Sequence, residues 1–175
     1  ALRAEVLARY GEHFENLADY TRIINDGQYA RLKGYLDDAK ERGIEKVTLA
    51  GHADPVQRLL PPTLLLDPGD DAKVMQEEIF GPLLPIKSYR TLDEAIAYVN
   101  AHDRPLALYP FSDDKATVDK ILHHTLAGGV SVNDTLFHFA IANLPFGGVG
   151  PSGMGAYHGR AGFDAMSKQL PVLWQ

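Results

Sequence analysis

Apolar residues recur at three- and four-residue intervals along several stretches of the chain, and short unbroken apolar runs separate them. Leu2, Val6, Leu7 and Tyr10 share one face of a helix over residues 1–10, with Gly11 just past its end. Tyr29, Leu32, Leu36 and Ala39 do the same for a helix from Asp26 to Arg42, and Gly43 supplies the left-handed residue that stops it. Lys46–Leu49 reads as a strand. Asp54-Pro55 and Pro61-Pro62 then punctuate the chain before an apolar strand, Thr63–Leu66. Farther on, Ile86–Tyr89 reads as a strand and Thr91 opens a helix through Asn100, with Thr91 and Glu94 at capping-box spacing. A strand over Leu106–Phe111 precedes a helix that Ser112 caps and that ends near His124, with Val118, Ile121 and Leu122 apolar. Gly128-Gly129 closes that segment and starts a strand, Val130–Val132. Helices alternating with short apolar strands predict an α/β fold whose largely parallel sheet is covered by helices.

Composition narrows the class of partner. The 175 residues are 45% hydrophobic and 23% charged, which suits one globular domain. A formal net charge of −6 offers no attraction to nucleic acid or to an anionic membrane. No apolar run approaches the roughly 20 residues that span a bilayer. The start, Ala1-Leu2-Arg3-Ala4-Glu5, is charged and amphipathic rather than a signal peptide, so the expected location is cytoplasmic. Cysteine is absent, which excludes disulfides, thiolate-bound metal and a thiol nucleophile within this chain.

Chemistry is concentrated in three motifs. Gly148, Gly150 and Gly153 meet the G-x-G-x-x-G spacing of a dinucleotide-binding turn, but the context is wrong for one. Such a turn leaves a buried strand, opens a helix and is followed by an acid that reads a ribose. Here Ala142–Pro145 is no strand, Pro151 interrupts the turn, and no suitable acid follows. A close-packed loop shaping a site or an interface fits better. In Glu77-Glu78-Ile79-Phe80-Gly81-Pro82 a plain helix end competes with a carboxylate placed beside a ring to receive a sugar and a flat heterocycle. Asn133-Asp134 follows a strand, where either an Asx turn or a ligand-facing pair belongs. His123, His124, His138 and His158 lack metal-ligand spacing, so no metal site is expected, and no G-x-S-x-G elbow is present.

Taken in order, the motif at Glu77–Pro82, the run Arg104–Tyr109, the segment Gly128–Asp134 and the stretch Pro145–Arg160 resemble the aldehyde dehydrogenases. The likeness is greatest to the class-three branch, which handles aromatic and medium- to long-chain aldehydes, and within it to the bacterial coniferyl aldehyde dehydrogenases. It is dense from Pro61 onward and looser over residues 1–60. The resemblance implies oxidation of an aldehyde to the acid by NAD or NADP through a cysteine thiohemiacetal, with hydrolysis by a glutamate-activated water. It implies that Glu78 holds the nicotinamide-side ribose and that Phe80 packs near the nicotinamide. Phe146 would line the substrate and nicotinamide pocket. Asn133, Asp134 and the stretch around His138 would lie near the substrate entrance, and His158 near the substrate tunnel.

With no cysteine, the nucleophile is not in this chain. The resemblance places it upstream of Ala1, together with the glutamate base, the oxyanion asparagine and the cofactor domain. Residues 1–168 are then expected to be the C-terminal part of the catalytic domain, inactive alone, and 169–175 a terminal strand or tail for subunit contact. The expected partners are a small aldehyde, the remainder of the same polypeptide and a second copy in a homodimer. The alternative is a free-standing, non-catalytic α/β module used for binding or assembly.

Overall fold

The computed structural model describes residues 1–14, 17 and 19–175. The chain forms two compact units, Ala1–Ser88 and Tyr89–Gln175. In the first, α1 spans Leu2–Tyr10 and buries none of its residues. The long helix α2, Asp26–Glu41, is held at its start by Asn25, whose side chain accepts from the Gln28 amide at 2.8 Å. Gly43, at φ 71°, follows its end as expected.

The face that α2 buries is Tyr29, Leu32, Tyr35 and Ala39, packed with Leu60, Leu65, Ala72, Val74 and Leu83. Each large side chain buried in this way contributes about 2 kcal/mol. Leu36, expected in the seam, is only half-buried, and Tyr35 takes the inner position. A tyrosine can sit there because its hydroxyl is satisfied: it donates to Glu77 Oε2 at 2.8 Å and accepts from Arg31 at 2.6 Å.

Three strands complete this unit: β1 (Glu45–Thr48), β2 (Thr63–Leu66) and β3 (Leu83–Ile86), in the order β1-β2-β3. β1 runs antiparallel to β2, whereas β2 and β3 are parallel and the single-turn helix α3 (Lys73–Gln76) lies in the connection between them. Thr63 and Leu65 are buried while Leu64 and Leu66 are half-buried, as a period of two requires. The expected strand Ile86–Tyr89 is displaced to Leu83–Ile86, because Gly81-Pro82 and Pro85 read as breakers. Pro85 is tolerated because β3 is an edge strand in this sheet, where a missing N–H costs no ladder bond.

Asp38 fastens α2 to α3. Its carboxylate accepts from the Lys73 amide at 3.0 Å and pairs with Arg42 at 3.0 Å, and these bonds, the amide's first, hold its pKa below the usual carboxylate value. A depressed pKa stabilises the fold above the unfolded value, about 4, and the contribution is lost as pH falls through the folded value. Asp38→Asn should therefore lower the urea midpoint at pH 7, and the difference from the parent should vanish toward pH 2. An equal difference at both pH values would contradict this.

In the second unit, α4 (Leu92–Ala101) starts at Thr91, whose hydroxyl accepts from the Glu94 amide at 3.2 Å. The expected return bond goes one residue earlier, from the Arg90 amide to Glu94 Oε2. The strands β4 (Ala107–Leu108) and β5 (Gly129–Val130) are parallel and shorter than the runs Leu106–Phe111 and Val130–Val132 suggested. Pairing nevertheless continues past both ends, since Gly128 and Asn133 donate to the carbonyls of Pro105 and Pro110 at 2.9 Å. Proline can only accept, so the ladder is one-sided there.

Helix α5 (Lys115–His124) is capped by Asp114, not Ser112. Asp114 accepts from the amides of Ala116 and Thr117, while Ser112 accepts from the Asp114 amide at 3.1 Å. A carboxylate also complements the positive end of the helix better than a hydroxyl does. The last helix, α6, spans Gly159–Ala165. Residues 169–175 form no strand within the chain, and Leu170, Leu173 and Trp174 are 75%, 84% and 89% exposed. Among the described residues no helix is long and apolar enough to cross a membrane.

Candidate functional site

Each unit carries one group of the residues singled out in the sequence. In the first unit, α3 does end at Gln76, so the helix-end reading of the Glu77–Pro82 motif holds in part. The residues after it form a strained loop. Phe80 adopts φ 47°, a region that bulky residues occupy only when their surroundings over-determine it. Its ring is 85% exposed, so burial of the ring is not what holds it.

Arg31 on α2 supplies the constraint. Its guanidinium donates to the Glu78 carbonyl at 2.8 Å and to the Ile79 carbonyl at 2.7 Å. The same group donates to Gln28 Oε1 at 2.7 Å, and it lies 5.2 Å from the centroid of the Tyr35 ring. Tyr35 in turn holds Glu77, and Ile79 packs against the core. The backbone on the N-terminal side of Phe80 is thus pinned, while Phe80 and the Glu78 side chain point away from the core. They border a hollow of about 450 Å³ with Ile24, Asn25, Gln28 and Arg31. An exposed carboxylate can accept hydrogen bonds from a vicinal diol, and a free ring face can stack on a flat heterocycle.

In the second unit, Phe146 and Tyr157 form an antiparallel bridge with reciprocal amide–carbonyl bonds of 2.9 Å. This brings His158 against Phe146, with centroids 6.0 Å apart and planes at 25°. His138, Phe139 and Tyr157 surround the same ring at 5.8, 6.3 and 5.7 Å. Phe146 and His158, singled out separately, are therefore neighbours. The glycine-rich stretch between them folds back on itself around a 3-10 turn, Gly150–Ser152, with no strand before it and no helix opening from Gly153. Its G-x-G-x-x-G spacing serves backbone packing rather than a dinucleotide turn.

Asn133 is engaged elsewhere. Its side-chain oxygen accepts from the Ser112 amide at 2.8 Å and its nitrogen donates to the Ser112 carbonyl at 3.0 Å. At φ 56° it ties together the loops that leave β4 and β5. Asp134 accepts from the amide of the next residue, Thr135, at 2.7 Å, one residue short of the bond that defines an Asx turn, so the Asx turn read from the sequence does not form here. Among the described residues, no three His, Cys, Asp or Glu are grouped to hold a metal ion.

Two residues of these groups escaped notice in the sequence. Arg31 looked like one more charge on a helix surface, because its carbonyl partners lie 47 and 48 residues away. Ser131 gave no sign of its contact with His138 Nδ1, at 3.1 Å. Only the spacing of Gln28, Arg31 and Tyr35 along one helical face hinted at a polar cluster.

Residues 2–170 match the model of the aldehyde dehydrogenase family. The chain belongs to that family. It is 53% identical over 173 residues to a probable coniferyl aldehyde dehydrogenase of Caulobacter vibrioides, covering 97% of this chain and 36% of that protein. Against the protein of the same description from Pseudomonas aeruginosa the identity is 56%, covering 97% and 35%. Mouse aldehyde dehydrogenase family 3 member A2 is 46% identical, covering 94% and 33%. The chain thus spans about a third of the length of these relatives. Among solved structures, the substrate-bound AldH of Staphylococcus aureus superposes with a TM-score of 0.84 at 40% identity, covering 99% of this chain and 39% of that one. An aldehyde dehydrogenase of Mycobacterium tuberculosis complexed with NAD+ gives a TM-score of 0.74 at 29% identity, covering 88% and 32%. The α/β fold read from the alternation of elements is the fold of these dehydrogenase segments.

Proposed function

We propose that this chain is the C-terminal part of the catalytic domain of a cytoplasmic, class-three-like aldehyde dehydrogenase that oxidises an aromatic aldehyde such as coniferyl aldehyde to its acid. The observation that carries the reading is the Arg31-pinned loop presenting Glu78 and Phe80 together. NAD or NADP would supply the hydride acceptor. Glu78 would accept hydrogen bonds from the nicotinamide-side ribose, and Phe80 would limit where the attached ring can lie. Phe146 and His158 would form an aromatic wall for the aldehyde, and Asn133 would keep the loops beside that wall in place rather than touch substrate. The thiolate would come from the remainder of the polypeptide, since this chain has no cysteine, and the family resemblance puts the glutamate base there as well. The exposed apolar tail Leu170–Trp174 is a fitting contact for the second subunit of a homodimer.

The test compares the complete polypeptide with the 175-residue chain, using coniferyl aldehyde and either cofactor. The complete protein should reduce NAD or NADP and the chain alone should not. Glu78→Gln in the complete protein should raise the KM for the cofactor about tenfold, roughly the worth of one charge-assisted hydrogen bond, with little change in the KM for aldehyde. Turnover by the isolated chain, or none by the complete protein, would overturn the proposal.

A further inference from the structure

Among the described residues the ring of Phe146 has four aromatic neighbours, and they do not hold it equally. Phe139 and Tyr157 are half or more exposed, and His158 is half-buried, whereas His138 is 8% exposed. His138 is also anchored by a polar contact, 3.1 Å between its Nδ1 and the Oγ of Ser131, just beyond β5. Its ring lies against Gly129, where a Cβ would come within 2.5 Å of Cδ2 and 2.8 Å of Nε2. The strand therefore has no side chain at the point where the imidazole rests on it. Tyr109, beyond β4, flanks the imidazole on another side at 5.9 Å.

The chemistry of this position is unusual for a filler. Among the described residues His138 Nε2 is buried without a hydrogen-bond partner, a cost that a leucine or phenylalanine would avoid. The cheaper tautomer leaves Nε2 as a bare acceptor and makes Nδ1–H the donor to Ser131. That bond adds a directional constraint to the packing that already encloses the imidazole.

We propose that His138 is a positioning residue: anchored by Ser131, it sets the plane of the Phe146 ring and thereby the preference of the pocket for flat aryl aldehydes over short alkyl ones. This rests on the reading of Phe146 as part of the aldehyde wall. A flat aryl substrate gains its ring-on-ring contact, offset-stacked or edge-to-face, only where the plane of the partner ring is fixed, whereas a short alkyl chain is nearly indifferent to the orientation of that ring.

Steady-state kinetics of the complete polypeptide, with coniferyl aldehyde and with propanal, test the proposal. Ser131→Ala, which removes the anchor and leaves the imidazole, should raise the KM for coniferyl aldehyde about tenfold, the scale of one lost pocket contact. Its kcat/KM for propanal should stay within about twofold of the parent. His138→Phe should shift the same ratio in the same direction, and Ser131→Thr, which keeps the hydroxyl, should restore it. Combined, the first two changes should be less than additive, because they break one link. If the parent oxidises both aldehydes and Ser131→Ala leaves their ratio unchanged, or lowers both equally, the role of His138 is overturned while the function stands. If the parent oxidises neither, the aldehyde wall is wrong and this proposal falls with it.

Discussion

Gly148→Ala is expected to lower the unfolding free energy by about 3 kcal/mol, the upper range for overpacking. A Cβ at this position would lie 2.2 Å from the Ser152 carbonyl oxygen, 2.3 Å from its carbon and 2.5 Å from the Gly153 nitrogen. All three are backbone atoms, so no side chain can rotate away to make room. The neighbouring Gly147 is as constrained, with a Cβ 2.0 Å from the Gly155 oxygen. Gly150 is the useful contrast. Its φ is +61°, yet among the described residues nothing lies within 4 Å of an added Cβ, so Gly150→Ala should cost only the left-handed penalty of about 1 kcal/mol. Urea unfolding of both variants separates the two causes. Equal losses would mean that backbone conformation, and not backbone-on-backbone contact, is what these glycines serve.

Arg31→Lys should be nearly as damaging to cofactor binding as Arg31→Ala, although the charge is kept. The guanidinium reaches the carbonyls of Glu78 and Ile79, the Gln28 amide oxygen and the Tyr35 hydroxyl at once. An ammonium offers one point charge in place of that planar fork. Losing about 1.5–3 kcal/mol of charged hydrogen bonding frees the loop to relax the strain at Phe80. Cofactor affinity of the complete polypeptide should then fall about tenfold or more, with faster amide hydrogen exchange across residues 78–81. A lysine variant with parental affinity and parental exchange would show that the loop holds its shape without Arg31.

The two changes differ in how readable their cause is. The glycine-rich stretch declares its tightness in composition, and its unsuitability as a dinucleotide turn followed from the missing strand before it and from Pro151. Arg31 declares nothing, because a positive charge at mid-helix is compatible with solvent, an ion pair or a clamp. Similarly, Tyr35 and Leu36 are adjacent on α2 and both apolar enough to face inward. Which one does so depends on whether a tyrosine hydroxyl finds partners, and those partners come from Arg31 and Glu77.

What the sequence by itself determined was everything carried by local periodicity and by ordered motifs. The limits of α2, α4 and α5 to within a few residues, the strand at Thr63–Leu66, the α/β class and membership of the aldehyde dehydrogenase family belong here, because backbone preference and hydrophobic spacing act over a few neighbours. Tertiary structure alone decided the rest. It moved the third strand to Leu83–Ile86, since edge position excuses a proline. It gave Asn133 to Ser112, set His138 between Ser131 and Phe146, and made Arg31 the clamp of the Glu78–Phe80 loop. Each of these depends on a hydrogen bond, strand pairing or ring contact beyond the few neighbours over which local preference acts, and such a contact exists only once the fold has brought both partners within reach.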